Sequence, residues 1–280
     1  FFRSLFSEKN KIMKYLYITF SSIFLAYVII LLFTYFYQRN LLYHPSENNY
    51  QGDNINFNYQ EVFIDVGENI KLKSWIIKKD LRNYKTILFF HGNAGDLSNR
   101  IHKLNELNKL DINILIISWR GFSGNLGAPT EKNLYQDAKK TVQWLNDYGV
   151  ENKNIILYGE SLGTGVATEL GQDNSFAGVI LESPFTSIAD AAKIYYPYLP
   201  IDLLIKDRYD SLKKIKNIKT PILIMHGKKD DVVPFKMGVE LFEKANQPKF
   251  SYFSDNDDHM MEFNDQLINS LKKFLIFNTK

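Results

Sequence analysis

The pentapeptide Gly159-Glu160-Ser161-Leu162-Gly163 constrains this chain more than any other stretch. Residues 153–158, just before it, make a short apolar, β-prone run that reads as a buried strand. Residues 164–170, just after it, start with small side chains and read as a helix. A strand, a sharp turn and a helix joined in this way bring backbone into close contact, and the glycines leave room for it. Ser161 then stands at a helix N-terminus with its hydroxyl projecting from the sheet edge. The Leu162 N–H faces any negative charge that develops there. A bare match also fits an ordinary strand-to-helix turn, because Gly and Ser are common turn residues. The strand before it and the helix after it favour a serine presented for chemistry.

The rest of the chain alternates strands and helices. Strands are expected at 61–66 and 70–77, flanking a turn at Gly67-Glu68-Asn69, and at 86–90 and 112–119. Further strands are expected at 177–181, 221–225 and 250–253. Helical periodicity covers 98–110, a stretch capped by Thr130 and running to about residue 148, 236–245 and 260–277. This alternation implies an α/β fold with a mostly parallel central sheet and helices on both faces, opened by an antiparallel hairpin. A chain of 280 residues holds one large domain of this kind plus an appendage. No internal repeat is visible.

The appendage is N-terminal. Residues 15–37 carry no charge and are long enough to cross a bilayer with some tilt, with Tyr15, Tyr17, Tyr35 and Tyr37 near the two ends. A signal peptide would have a shorter apolar core followed by small residues at a cleavage site, whereas Thr34-Tyr35-Phe36-Tyr37-Gln38-Arg39 follows here. A buried core helix would normally carry a polar stripe. The expected organisation is a flank at 1–14, a transmembrane anchor at 15–37, a polar linker at 38–60 and a catalytic domain at 61–280. Met13-Lys14 reads as a start site, with 1–12 as an upstream extension. Arg3, Lys9, Lys11 and Lys14 precede the span and Arg39 follows it, which points the N-terminus to the cytoplasm and the main domain to the extracytoplasmic side, a bias that shrinks to almost nothing for a chain starting at Met13.

The net charge of +3 gives nucleic-acid binding no support, and the lack of cysteine excludes disulfides, thiolate metal sites and a cysteine nucleophile. No metal-ligand spacing of the His-x-x-x-His kind occurs, and the glycines of 91–96 lack P-loop spacing. A serine hydroxyl needs a base within reach, and the base needs a carboxylate to orient it. In a doubly wound sheet these groups come from loops at the carboxyl ends of strands. Of the five histidines, His102 belongs to a surface helix, His44 to the segment leaving the membrane, and His91 and His226 to strand-ending His-Gly turns. His259 follows the last strand, opens the final helix and is the candidate base. Asp230 and Asp231, after strand 221–225, compete as the orienting carboxylate; Asp255, Asp257 and Asp258 read as surface charge. The loop after strand 86–90 should supply a second oxyanion donor beside Leu162, and the Asn93 N–H is the candidate, since Gly92 lets that backbone bend.

Six motifs occur in order: His91-Gly92-Asn93-Ala94-Gly95, Trp119-Arg120-Gly121-Phe122, Gly127-x-Pro129-Thr130-Glu131, Gly159-Glu160-Ser161-Leu162-Gly163-Thr164-Gly165, Glu182-Ser183-Pro184-Phe185 and His226-Gly227-x-x-Asp230-x-x-Val233-Pro234. As a set they resemble the α/β-hydrolase superfamily, in its branch of small serine hydrolases with one N-terminal membrane anchor. The resemblance runs from about residue 39 onward. It implies an α/β-hydrolase fold with a small or absent cap, Ser161 as nucleophile, His259 as base and Asp230 as orienting acid, with no cofactor. Relatives in this branch include protein depalmitoylases and proteins described as serine aminopeptidases. Relatives often carry Tyr where Trp119 stands and Gly-x-Ser where Ser123-Gly124-Asn125 stands, which implies a difference in substrate shape.

The expected activity is therefore cleavage of an acyl ester or thioester, on a small-molecule or lipid-linked acyl substrate, at a membrane. An aminopeptidase or amidase on the same triad is the rival activity, and a non-catalytic membrane scaffold the rival class. The stretch from Ser183 to Thr220 is too short for a large lid. It reads as a loop-helix excursion packed on the sheet, or as an apolar mouth around Tyr195-Tyr196-Pro197-Tyr198-Leu199 that admits an acyl chain.

Overall fold

The computed structural model describes residues 2–46 and 54–278, with side chains in the first helix from residue 10 onward. In chain order the elements are α1 (Phe2–Leu42), β1 (His44–Pro45), β2 (Gln60–Gly67), β3 (Ile70–Ile77), β4 (Thr86–Phe90), β5 (Ala94–Gly95) and α2 (Ile101–Leu107). Then come β6 (Asn113–Ile117), α3 (Glu131–Asp147), β7 (Ile155–Glu160), α4 (Leu162–Gly171), β8 (Gly178–Glu182), α5 (Ile188–Tyr195) and α6 (Ile201–Leu204). The last are α7 (Ser211–Ile215), β9 (Ile222–Gly227), α8 (Phe235–Lys244), β10 (Lys249–Ser254) and α9 (Asp265–Phe277).

The main sheet has eight strands in the order β10-β9-β8-β7-β4-β6-β3-β2. From β6 to β10 all neighbours are parallel; β3 is antiparallel to both β6 and β2. The hairpin turn holds Glu68 and Asn69 at positive φ, as a tight two-residue turn requires. The central strands are continuous apolar runs because both faces are covered. In β4, Ile87 and Phe89 pack with α2 and α9, while Leu88 and Phe90 pack with α3, α4 and α8. The period of two along the strand thus feeds two separate cores.

Helix boundaries follow their caps. Thr130 accepts from the Asn133 N–H and starts α3, as its sequence position suggests. The closing helix is shorter than expected: Asn264 accepts from the Gln266 and Leu267 N–H groups and starts α9 at Asp265. His259 therefore lies in the turn before that helix and does not open it.

The segment expected to be a linker is in part docked. Arg39 pairs with Asp207 at 2.8 Å, and Gln38 donates to the Leu204 carbonyl and accepts from the Lys206 N–H. β1 pairs in parallel with β5, in the loop that follows β4. The physical reason is that 38–46 carries groups that bond to two surfaces of the domain. The remainder of the expected linker includes 47–53, outside the described residues. α1 is one helix, and over Asn10–Leu42 it is long and apolar enough to cross a membrane.

Candidate active site

The turn at Ser161 is built by close backbone contact. Ser161 sits at φ 49°, a left-handed value that a serine adopts only under constraint. Its N–H donates to the Glu182 carbonyl, which pins the turn to the end of β8. A Cβ on Gly163 would lie 2.0 Å from the Phe90 carbonyl oxygen, so α4 reaches β4 only with glycine there. The result presents the Ser161 side chain at the carboxyl rim of the sheet, where the loops after β4, β8, β9 and β10 also end.

Three of the expected residues meet on this rim. His259 Nε2 lies 3.0 Å from Ser161 Oγ, and His259 Nδ1 lies 2.8 Å from Asp230 Oδ2. The carboxylate can only accept from the ring, so Nδ1 carries the proton and Nε2 is left to accept from the serine. Asp230 Oδ1 accepts from the Val232 and Val233 N–H groups at 2.9 and 2.7 Å. Burial favours the neutral carboxyl, but the hydrogen bonds from His226 and His259 outweigh it and hold Asp230 well below the usual carboxylate range. Of the two competing acids, Asp230 is the one hydrogen-bonded to His259, and Asp231 is exposed.

Two partners of these three residues escape a reading of the sequence. His226 is not merely a turn former: it is fully buried, with Nε2 2.9 Å from Asp230 Oδ2 and 3.0 Å from the Val233 carbonyl. Both neighbours are acceptors, so Nε2 carries its proton. The i, i+4 spacing of His226, at the end of β9, and Asp230, in the turn after it, was the available signal. Ser183 Oγ donates to the His259 carbonyl at 2.9 Å and holds the loop of the base. Gly227 lets that loop pass, because a Cβ there would meet the Asp257 carbonyl at 2.3 Å. Asp257, read as surface charge, is buried beneath the same loop, whereas Asp255 and Asp258 are exposed.

The loop after β4 is held from three sides. His91 is fully buried; burial and the Arg100 charge push its pKa down to about 3, so the ring is neutral. Its Nδ1 lies 2.7 Å from the Gly92 carbonyl, and its Nε2 accepts from the Trp119 N–H. The Trp119 indole donates to the His91 carbonyl. Trp119 is thus a buried support of the loop. The Gly92 N–H is taken by Glu160, while the Asn93 carbonyl and side-chain amide bond to His44 N–H and the Leu42 carbonyl. The Leu162 N–H, in the first turn of α4, has no intrahelical acceptor. His44 and His102 are exposed, as expected.

Beneath the serine lies a buried ionic cluster that the sequence reading missed. Glu160 accepts from Arg100 at 2.6 Å and Lys103 at 2.7 Å; Glu182 accepts from Lys103 and from the Tyr158 hydroxyl. Burial opposes ionisation of Glu160, but Arg100 and Lys103 overcome it and hold its pKa well down. Glu182 is pushed up by burial, which its single lysine does not offset.

A parallel sheet that delivers a serine, a histidine and an aspartate from separate loops to one rim defines an α/β protein of the hydrolase type. The family model described as serine aminopeptidase, S33, matches residues 82–206, which include Ser161. An uncharacterized protein of Mycobacterium tuberculosis is 32% identical over 223 residues, 79% of each chain. Alpha/beta hydrolase domain-containing protein 17B of Homo sapiens is 34% identical over 195 residues, 68% of this chain and 66% of its own. Lysophosphatidylserine lipase ABHD12 of Danio rerio is 34% identical over 195 residues, 62% of this chain and 51% of its own. Among solved structures, an esterase from Pyrococcus furiosus superposes with TM-score 0.68 at 22% identity, over 85% of this chain and 100% of that one, a likeness of fold. The chain belongs to the α/β-hydrolase superfamily.

Proposed function

We propose that this protein is a membrane-tethered serine hydrolase that cleaves an acyl ester or thioester through an acyl-enzyme. The observation that carries the reading is the continuous hydrogen-bonded line Ser161–His259–Asp230. Ser161 Oγ attacks the carbonyl carbon as its proton passes to His259 Nε2. The oxyanion gathers between the Leu162 and Asn93 N–H groups. Collapse of the adduct expels the alcohol or thiol, which takes the proton from His259. Water then attacks the acyl-serine by the same route and releases the acid. Asp230 keeps the His259 tautomer fixed and stabilises the imidazolium, and no cofactor is required.

The relative named as a lysophosphatidylserine lipase supports an acyl ester of lipid type. The apolar span of α1 supports anchoring, with the domain at 61–280 on the extracytoplasmic side by the charge bias of the sequence. The description of the matching family model favours a second reading, an aminopeptidase on the same triad. Purified full chain offered p-nitrophenyl acyl esters and aminoacyl p-nitroanilides separates the two. Turnover of the esters, lowered on the order of 10⁶-fold in Ser161→Ala, is the expected result. Turnover of the anilides alone identifies the aminopeptidase, and turnover of neither leaves a binding scaffold.

A further inference from the structure

The excursion between β8 and α7 lies beside the apolar span. Tyr27 Oη donates to the Tyr198 carbonyl at 2.9 Å. No charged residue occurs between Lys14 and Arg39. A hydrocarbon core about 30 Å thick takes about 20 helical residues, and wherever it falls within that stretch Tyr27 sits at least about 10 Å inside it. Helical side chains lean toward the N-terminus, which carries the Tyr27 hydroxyl deeper still. The Tyr198 carbonyl is bonded to that hydroxyl and shares its depth. Val28, Leu31, Thr34, Gln38 and Leu42 form the half-buried stripe by which α1 packs on the domain.

The composition of the excursion suits that depth. Tyr198 is 64% exposed and Leu203 84% exposed, and Ile194, Tyr195 and Tyr196 are exposed as well. Backbone polar groups in hydrocarbon need internal partners. Here Pro197 and Pro200 bring no N–H. The N–H groups of Tyr196, Leu199, Ile201, Leu203, Leu204 and Ile205 find carbonyls within the excursion, that of Tyr198 finds none there, and the Leu204 carbonyl accepts from Gln38. The charges are paired or stacked: Asp202 pairs with Lys193 and Arg208, and Lys206 lies 3.9 Å over the Tyr35 ring, near the end of the span. Between α1 and the excursion is a cavity of about 160 Å³ walled mainly by Leu41, Leu42, Ile188, Ala192, Ile201 and Leu204. Thr34, Gln38, Arg39 and Asp207 also line it, so the space is an open, mainly apolar groove with a polar end.

We propose that residues 194–205 are a second membrane element, seated in the hydrocarbon of the leaflet that α1 enters, with its cavity against α1 open to lipid acyl chains. Two hydrogen bonds tie this surface to loops around Ser161: Leu42 holds Asn93, in the loop after β4, and the Tyr195 hydroxyl donates to the Asp231 carbonyl at 2.6 Å, in the Asp230 loop. The inference rests on α1 as a membrane span, part of the proposed function, and is independent of the triad.

The chain has no cysteine, so single-cysteine variants carry one nitroxide each. Full chain with a label at Phe24→Cys, Tyr198→Cys, Leu203→Cys or Lys213→Cys is reconstituted in phosphatidylcholine vesicles, and collision with oxygen is compared with collision with a polar nickel complex. The expected result is a shift toward oxygen at 24, 198 and 203 alike, and toward nickel at 213. Oxygen at 24 with nickel at 198 and 203 overturns the seating of the excursion and leaves the anchor standing. Nickel at 24 as well removes the anchor and the proposal with it. Fluorophosphonate labelling of the same samples reports the triad separately.

Discussion

His226 and His259 approach one oxygen of Asp230, at 2.9 and 2.8 Å. The carboxylate that orients the base is thus itself oriented by a buried imidazole. His226 touches no reacting atom, so its role is positioning. His226→Ala should cost about 1–3 kcal/mol of stability, because the Val233 carbonyl and one Asp230 lone pair lose their donor. It should lower kcat with KM unmoved, and His226→Gln, which restores an N–H, should recover much of both. Steady-state kinetics beside urea unfolding tests this: a stability loss with kcat unchanged would assign His226 to packing alone.

Asp230→Asn should lower kcat by about 10⁴-fold, since an amide presents the wrong partner to His259 Nδ1. Its stability effect has a defined pH dependence. The folded pKa of Asp230 is depressed, so its contribution is complete above the unfolded value near about 3.9 and fades as pH falls toward the folded value. The stability gap between wild type and Asp230→Asn should be flat near neutrality and narrow on acidification below about pH 4. A gap that widens there would contradict the assignment.

Gly163→Ala should prevent folding, because its Cβ would sit 2.0 Å from backbone oxygen that cannot move without breaking β4. Gly171→Ala is the comparison: its Cβ meets only side-chain methyls of Ile218 and Val179 at 3.0 Å. Soluble yield and thermal melts should separate the two variants, with Gly171→Ala folded and mildly destabilised.

Lys103→Met leaves Glu160 and Glu182 facing each other with only Arg100 nearby. Breaking a buried ionic cluster from one side costs about 3–5 kcal/mol. Glu182 already has a raised folded pKa, so its contribution is most favourable below its unfolded value and is lost as pH rises through the folded one. The loss in Lys103→Met should therefore be larger at pH 8 than at pH 5, by denaturant titration at both. An equal loss at both would mean that the carboxylates do not titrate together.

Much of the fold was legible because it is local. The apolar runs that became β4, β6, β7, β8 and β9, and the Thr130 cap of α3, are readable from a few adjacent residues. Ser161, Asp230 and His259 were legible as residues of loops that follow strands, and the sheet then brought them together. What escaped depends on groups distant in sequence. Ser183 reaches the carbonyl of His259, Lys103 joins Glu160 to Glu182, and Asn93 bonds to the end of α1. No pattern along the chain encodes such contacts. The docking of 38–46 was hidden for the same reason: Arg39 is an ordinary flanking cation until Asp207 is placed beside it. The start of α9 was misplaced because Met260, Met261 and Phe263 mimic helical periodicity while Asn264 sets the cap.

In the proposed mechanism Ser161 is an activated nucleophile because His259 stands 3.0 Å away. Treatment of the full chain with a fluorophosphonate, followed by peptide mass spectrometry, reads this directly. One stoichiometric phosphonyl adduct on Ser161 is expected, strongly diminished in His259→Ala. An unmodified Ser161 in folded wild-type protein, or an adduct on another residue, would contradict it.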